Sequence, residues 1–261
     1  MNSLTSYLEY VKAVRSDWTN DTDRRYGDVE AIWFRGHTSV DWKLTPRLYR
    51  PEYRGAQEEE IRQEFQTRAQ QLMHGPLPTT KWDWYFLMQH YGAPTRLLDW
   101  TDNPLVALYF AVADNDMETD AAVWMLGPWW LNRKLRRGIQ GPMLPDWDEA
   151  NSYLPDLEDA FAGKQIWASL PAAIDPPHVD RRLAAQGSRF LIFGKSQDLL
   201  KTKSIRASRP KSRQIRMLRI PKGSVLGIQS DLEMCGITRP LLFPDLEALG
   251  KDLCRKCRRK G

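Results

Sequence analysis

Only three cysteines occur in 261 residues. An odd, small number excludes a disulfide framework as the source of stability. No apolar run reaches the ~18 residues of a membrane-spanning helix, so no span is expected. Residues 1–6 carry no basic stretch leading into an apolar one, so no secretory leader is expected and the cytosol is the expected compartment. Walker A, HExxH and G-x-S-x-G patterns are all missing, which removes the common phosphate-loop, zinc-protease and serine-hydrolase readings. No internal repeat is present. Cys254-Arg255-Lys256-Cys257 is a CxxC, but Cys235 alone could add another thiolate. Acid pairs at a metal-nuclease spacing are lacking as well, so no metal is expected.

What is present is an ordinary globular balance: 42% hydrophobic and 27% charged residues, with eleven tryptophans. That excludes whole-chain disorder and allows a buried core. The formal charge of +5 is unevenly spread. Residues 195–222 hold ten basic side chains and one acid, and residues 251–260 hold six and one. Together they carry +14, leaving −9 for the remainder. Localised Lys and Arg are the footprint of a phosphate-rich partner, or else a solvated loop and tail.

Hydrophobic periodicity predicts helices over 3–18, 56–73 and 81–90, with a further helix beginning at Asn103-Pro104. Strands are predicted at 31–36, 95–100, 121–126, 189–193 and 214–220, with helices near 222–235 and 244–256. The proline-punctuated stretch 127–180 reads as an insertion with one or two helices. The expected architecture is α+β: a compact mixed sheet flanked by helices, with an N-terminal helical element. Residues 1–261 read as a single domain with a motif core at 30–115, the insertion at 127–180 and a basic part at 181–261.

Three clusters carry the chemistry. In Trp33-Phe34-Arg35-Gly36-His37 an arginine ends an apolar strand, where its fork can hold a pyrophosphate or carboxylate bidentately. The alternative is a structural arginine paired with a core carboxylate. Gly36 would let a ligand approach the backbone. The second cluster runs from Gln89 through His90, Tyr91, Thr95, Arg96, Asp99 and Trp100 to Thr101-Asp102-Asn103-Pro104. So many polar groups beside apolar neighbours must be hydrogen-bonded or used. The third runs from Arg182 to Phe190; within it Gln186 and Gly187 lie just before a strand, and Gln186 either meets a ligand or closes the turn.

These residues resemble the FRG domain, a bacterial family named for its Phe-Arg-Gly motif. The likeness covers Trp33 to His37, Leu44-Thr45-Pro46-Arg47-Leu48, Glu60, Phe65, Gln89 to Thr101 and Asn103 to Ala111. Sparser features follow at Gln186-Gly187, Phe190 and Leu242 to Leu246. The strand ending at Gly36 is in turn similar to the first motif of Arg-Ser-Glu ADP-ribosyltransferases, whose arginine binds the NAD phosphates. Residues 95–101 are similar to the second motif, which supports the nicotinamide ribose. Gln186 and Ser188 stand where the third motif would carry Gln-x-Glu, so either another acid (Asp99 or Glu247) takes that role or the chemistry differs.

The resemblance implies an NAD-dependent ADP-ribosyltransferase-like toxin or defence effector, with NAD as substrate and an inhibitory antitoxin protein as partner. It implies catalytic roles for Arg35, His90, Thr95, Asp99, Thr101 and Gln186. NAD contacts are implied for Arg35, Gly36, His37, Tyr91, Arg96 and Trp100, with Tyr91 or Trp100 stacking on nicotinamide. The acceptor is expected to be nucleic acid, with RNA favoured over DNA. Lys201, Lys203, Arg206, Arg209, Lys211 and Arg213 are the expected contacts, carried on a mobile loop. The alternatives are a non-enzymatic nucleic-acid or partner-binding module, a protein ADP-ribosyltransferase and a nuclease.

Overall fold

A computed structural model describes the chain apart from residues 22–30, 54–56, 74, 137, 155, 163–167, 178–180, 209–212 and 259–261. In chain order the main elements are α1 (Leu4–Asp21), β1 (Trp33–His37), α2 (Glu58–Ala69), α3 (Lys81–His90), β2 (Leu97–Thr101), α4 (Pro104–Val112) and β3 (Ala121–Leu126). They continue with α5 (Pro128–Leu135), α6 (Asp148–Asn151), α7 (Leu157–Phe161), β4 (Ala172–Ile174), α8 (Arg181–Ala185) and β5 (Ser188–Ile192). The chain ends with α9 (Lys203–Arg206), β6 (Ile215–Ile220), α10 (Val225–Met234), α11 (Arg239–Leu242) and α12 (Leu246–Arg258). No helix among the described residues is long and apolar enough to cross a membrane.

The fold is α+β. Its six strands form one sheet in the order β4-β5-β2-β1-β3-β6, and all five neighbouring pairs are antiparallel. The expected mixed sheet is thereby corrected. Helices separate most of the strands, which suggests parallel crossovers. Most sheet neighbours are distant in sequence, however, so those helices do not dictate strand direction. A lone parallel bridge, Met143 to Ile174, lies at the β4 edge.

Strand alternation sends side chains to two faces. On one face Phe34, Val123, Met125, Leu218 and Ile220 pack beneath α1, α4 and α10. Further along that face, Leu97, Phe190, Ile192 and Ile174 pack beneath α3 and the 139–154 segment. The other face buries Trp33, Leu98, Trp100, Leu126 and Leu191 against α5, α9 and Leu44. The first face therefore holds two cores, which meet at the junction of β1 and β2.

That junction is barely closed. β1 pairs with β3 through all five of its residues, and β2 pairs with β5 likewise, yet β1 and β2 share one pair, Phe34 with Thr101. Beyond it the strands part, and Asp99, which would otherwise face inward, is exposed on its strand. Local signals hold the surrounding frame. Thr80 and Asp83 form a capping box at the start of α3. The Asn103 side chain accepts from the Leu105 amide at 2.9 Å, with Pro104 in the first turn of α4. Tyr7 donates to the Pro104 carbonyl at 2.8 Å, tying α1 to that helix.

Two sequence expectations change. The 127–180 insertion contributes an edge strand, β4, whose three residues are all buried. The stretch after Lys201 is not a featureless loop where it is described. Leu199 and Ile205 enter the core, Ile205 from within the short helix α9.

Candidate functional site

The parting of β1 and β2 opens a cavity of about 360 Å³. Arg35, Gly36, His90, Asp99, Trp100, Thr101 and Gln186 all line it. The three clusters singled out in the sequence thus converge on one place, because β1, β2 and the turn before β5 are sheet neighbours.

Arg35 spans the gap. Its side chain starts from β1, and Nη1 donates to the Asp99 backbone carbonyl on β2 at 2.6 Å. The same nitrogen lies 3.7 Å from the Asp99 carboxylate. Nε donates to His37 Nε2 at 3.0 Å. Nη2 has no hydrogen-bond partner among the described residues. Burial lowers the Arg35 pKa from its ordinary value; the Asp99 charge opposes that shift and the Arg50 charge adds to it. His37 is pushed down to about 3 by burial and by the charge of Arg35, so its ring is neutral and accepts from the guanidinium.

Asp99 is the one carboxylate lining the cavity among the described residues. Gln89 Nε2 donates to both of its oxygens, at 2.9 Å each. The Gln89 carbonyl accepts from the buried Thr95 hydroxyl at 2.5 Å. A hydrogen-bonded chain thus runs Thr95–Gln89–Asp99, and Thr95 acts behind the cavity wall rather than in it. Glu247, the other acid considered for the third-motif role, sits on α12 paired with Lys251 and does not line the cavity.

Thr101 and Gln186 are committed to structure. Thr101 donates to the Gln186 carbonyl at 2.6 Å and accepts from the Asn103 amide at 3.0 Å. Gln186 Nε2 donates to the Leu242 carbonyl at 2.9 Å, fixing α11 to the rim. Gly187 adopts φ +53, and a Cβ there would meet Asp102 Oδ1 at 2.3 Å.

Several assignments are corrected. Arg96 is buried at 3% exposure and is not among the residues that line the cavity. It donates to Glu58 at 2.6 Å, the Phe193 carbonyl at 2.9 Å and the Tyr153 carbonyl at 2.5 Å, and Tyr85 also donates to Glu58. This buried ion pair clamps α2 to β2, so Arg96 is a structural residue. Tyr91 is 72% exposed and lines a separate apolar groove with Ile61, Phe65 and Leu72. His37 supports Arg35 from behind, and Trp100 is 3% exposed within the opposite core. Gly36 borders the cavity, but the space its missing side chain leaves is taken by a helix: a Cβ there would lie 2.1 Å from the Ala107 carbonyl and 2.5 Å from the Ala111 nitrogen of α4.

Gln89, Arg47, Arg50 and Arg182 also line the cavity, although the sequence assigns none of them a site role; Gln89 and Arg182 lay within the second and third clusters and Arg47 within the family-like stretch. Gln89 stood inside the second cluster, and its position eight residues into α3 was the available signal. Arg47 donates to the Gly92 carbonyl at 2.5 Å. Arg182 lies over the Phe243 ring at 4.5 Å. Among the described lining residues four arginines stand against one acid, a charge balance that favours anions.

The expected nucleic-acid segment is only partly at hand. Lys201, Lys203 and Arg206 are exposed, whereas Arg213 donates to the Arg206 and Ser208 carbonyls at 3.2 and 3.3 Å and braces the chain. Arg209 and Lys211 lie outside the described residues. The three cysteines are free and exposed. Among the described residues no group of three or more His, Cys, Asp and Glu could hold a metal ion.

Residues 30–120 match the family model of the FRG domain. That stretch is similar to the FRG domain. Its namesake triplet now has three separate physical roles. Phe34 fills the core under α4, Arg35 bridges the split sheet, and Gly36 allows α4 to lie against β1. No curated protein and no solved structure matches the chain.

Proposed function

We propose that this protein is an NAD-dependent ADP-ribosyltransferase whose acceptor is nucleic acid, RNA being favoured. The observation that carries the reading is the Arg35 guanidinium, held on two sides with Nη2 unpartnered among the described residues, in a cavity where those residues include Arg47, Arg50, Arg182 and one carboxylate, Asp99. Three strands that resemble transferase motifs are neighbours around it.

In this reading the free edge of Arg35 holds the pyrophosphate of NAD, where a planar fork outperforms a point charge. The bond between nicotinamide and ribose C1′ breaks, and its electron pair leaves with nicotinamide and neutralises the pyridinium. Positive charge builds on C1′. Asp99, fixed by Gln89, offers a preorganised carboxylate to that charge. The acceptor nucleophile then bonds to C1′ and loses its proton to solvent. Asp99 thereby takes the place of the glutamate that Gln186 and Ser188 do not supply. An enzyme acting on the host's own RNA in the cytoplasm needs an inhibitory partner protein.

The test is labelled NAD incubated with the protein and with RNA, DNA or protein acceptors. Label transfer to nucleic acid is expected, and Arg35→Lys should lose most of it while the melting curve stays normal. No transfer to any acceptor and no loss of NAD would overturn the reading. Salt-sensitive RNA binding without NAD loss would instead support a non-enzymatic binding module.

A further inference from the structure

A second, wider groove of about 940 Å³ opens beside the cavity. Trp42 and Arg50 line both and form their common wall. Trp42 is 54% exposed, although most large aromatics of this chain are buried. It is not a loose surface residue. Its amide donates to the Ser39 carbonyl at 3.3 Å, and its ring leans on the buried His37 ring, with centroids 6.0 Å apart. The His37 ring is itself fixed by Arg35. Besides Trp42 and Arg50, the groove is lined by Lys43, Lys195 and Lys201. Three acids also line it, Asp41, Glu52 and Asp198; Asp198 accepts from the Leu200 and Lys201 amides at 2.9 and 3.3 Å and lies 3.7 Å from Lys201 Nζ, a contact that a strand phosphate would have to displace.

A braced, half-exposed indole beside a line of spaced cations is the arrangement that binds single-stranded nucleic acid: a base stacks on the ring and phosphates follow the cations. A duplex offers no free base face to such a ring. We infer that this groove is the acceptor track and that it takes a single strand, with one base stacked on Trp42 at the mouth of the NAD cavity. The inference rests on the transferase reading for the word acceptor; strand binding itself does not. It moves the main contact away from the 201–213 segment. Among the described residues of that segment, Lys201 is the one that lines the groove.

The test is fluorescence anisotropy of a dye-labelled, mixed-sequence single-stranded RNA and of the corresponding blunt duplex, without NAD. The single strand should bind at least about tenfold tighter than the duplex. Trp42→Ala should weaken it by about tenfold or more, and Trp42→Phe should keep most of the affinity. Lys195→Ala combined with Lys201→Ala should flatten the salt dependence by about 1.4 log units per log unit of salt, given ~0.7 per single-strand phosphate contact. Equal affinity for single strand and duplex, or unchanged affinity in Trp42→Ala, would overturn the inference. So would a Trp42→Ala protein that binds NAD more weakly but RNA as before, since the ring would then serve the dinucleotide. Failure of NAD turnover with these binding results intact would overturn the transferase reading alone.

Discussion

The side-chain nitrogen of Gln89 lies 2.9 Å from each carboxylate oxygen of Asp99, and Gln89 is in turn held by the Thr95 hydroxyl. One amide thus sets the direction in which the cavity's carboxylate points. Gln89→Ala should lower NAD consumption by about 10- to 100-fold, the scale on which misplacement of a reacting group acts. Gln89→Glu should do at least as much harm by placing a second negative charge beside Asp99. Steady-state kinetics with a melting curve check this. Unchanged turnover in Gln89→Ala would show that Asp99 needs no such support.

Gly36→Ala should destabilise the protein by about 1–3 kcal/mol, because its Cβ would intrude on the backbone of α4 and the neighbouring atoms cannot turn aside. Urea unfolding measures the change. The loss should be similar with or without NAD present, since the contact is with a helix.

Arg96→Leu should cost about 3–5 kcal/mol, as removal of one partner leaves Glu58 buried without its counter-charge. Replacing both, with Glu58→Leu added, should recover part of that loss. Recovery in the double variant separates a desolvated charge from a merely lost contact.

His37 gives a pH dependence of defined sign. Its folded pKa, pushed down to about 3, lies below the ordinary value of 6.5. Between those values the unfolded chain binds more protons, so stability falls as pH drops from 6.5 towards 3 and is fully present above 6.5. His37→Gln, which keeps an acceptor for Arg35, should flatten the melting temperature against pH in that window. A profile identical to the unsubstituted protein would mean the ring is not titrating.

Expression of the chain alone in bacteria should arrest growth, and Arg35→Ala should relieve the arrest. Growth curves with matched protein levels check it. Harmless overexpression of the unsubstituted chain would count against a toxic activity and against the need for an inhibitory partner.

Much of the fold was legible because its signals are local. Asn103-Pro104 marks the start of α4, and the run Ala121–Leu126 is buried at five of its six positions. The strand at Ala172–Ile174 was not legible: three small apolar residues after prolines carry no period, and only pairing with β5 makes them a strand. The site was legible as a set of clusters but not as roles. Arg35 and Arg96 look alike in sequence, each beside an apolar strand. Their difference depends on Glu58, which is 38 residues from Arg96, and on the opening between β1 and β2. The meaning of Gly36 likewise depended on where α4 comes to rest.

The single Phe34–Thr101 pair also bears on what can be cut out of this molecule. Residues 30–120 contain β1 and β2 but stop before β3 begins at Ala121, and they lack β5 altogether. Each of the two strands makes its five-residue pairing with a partner outside that stretch. Expressed by itself, the segment would hold its cavity-lining side chains on two strands joined by one rung, with both outer edges bare. The stretch that matches the FRG model therefore lacks the strand partners an autonomous folding unit would need. Any fragment meant to keep the cavity must extend at least through Ile192, to include β3 and β5.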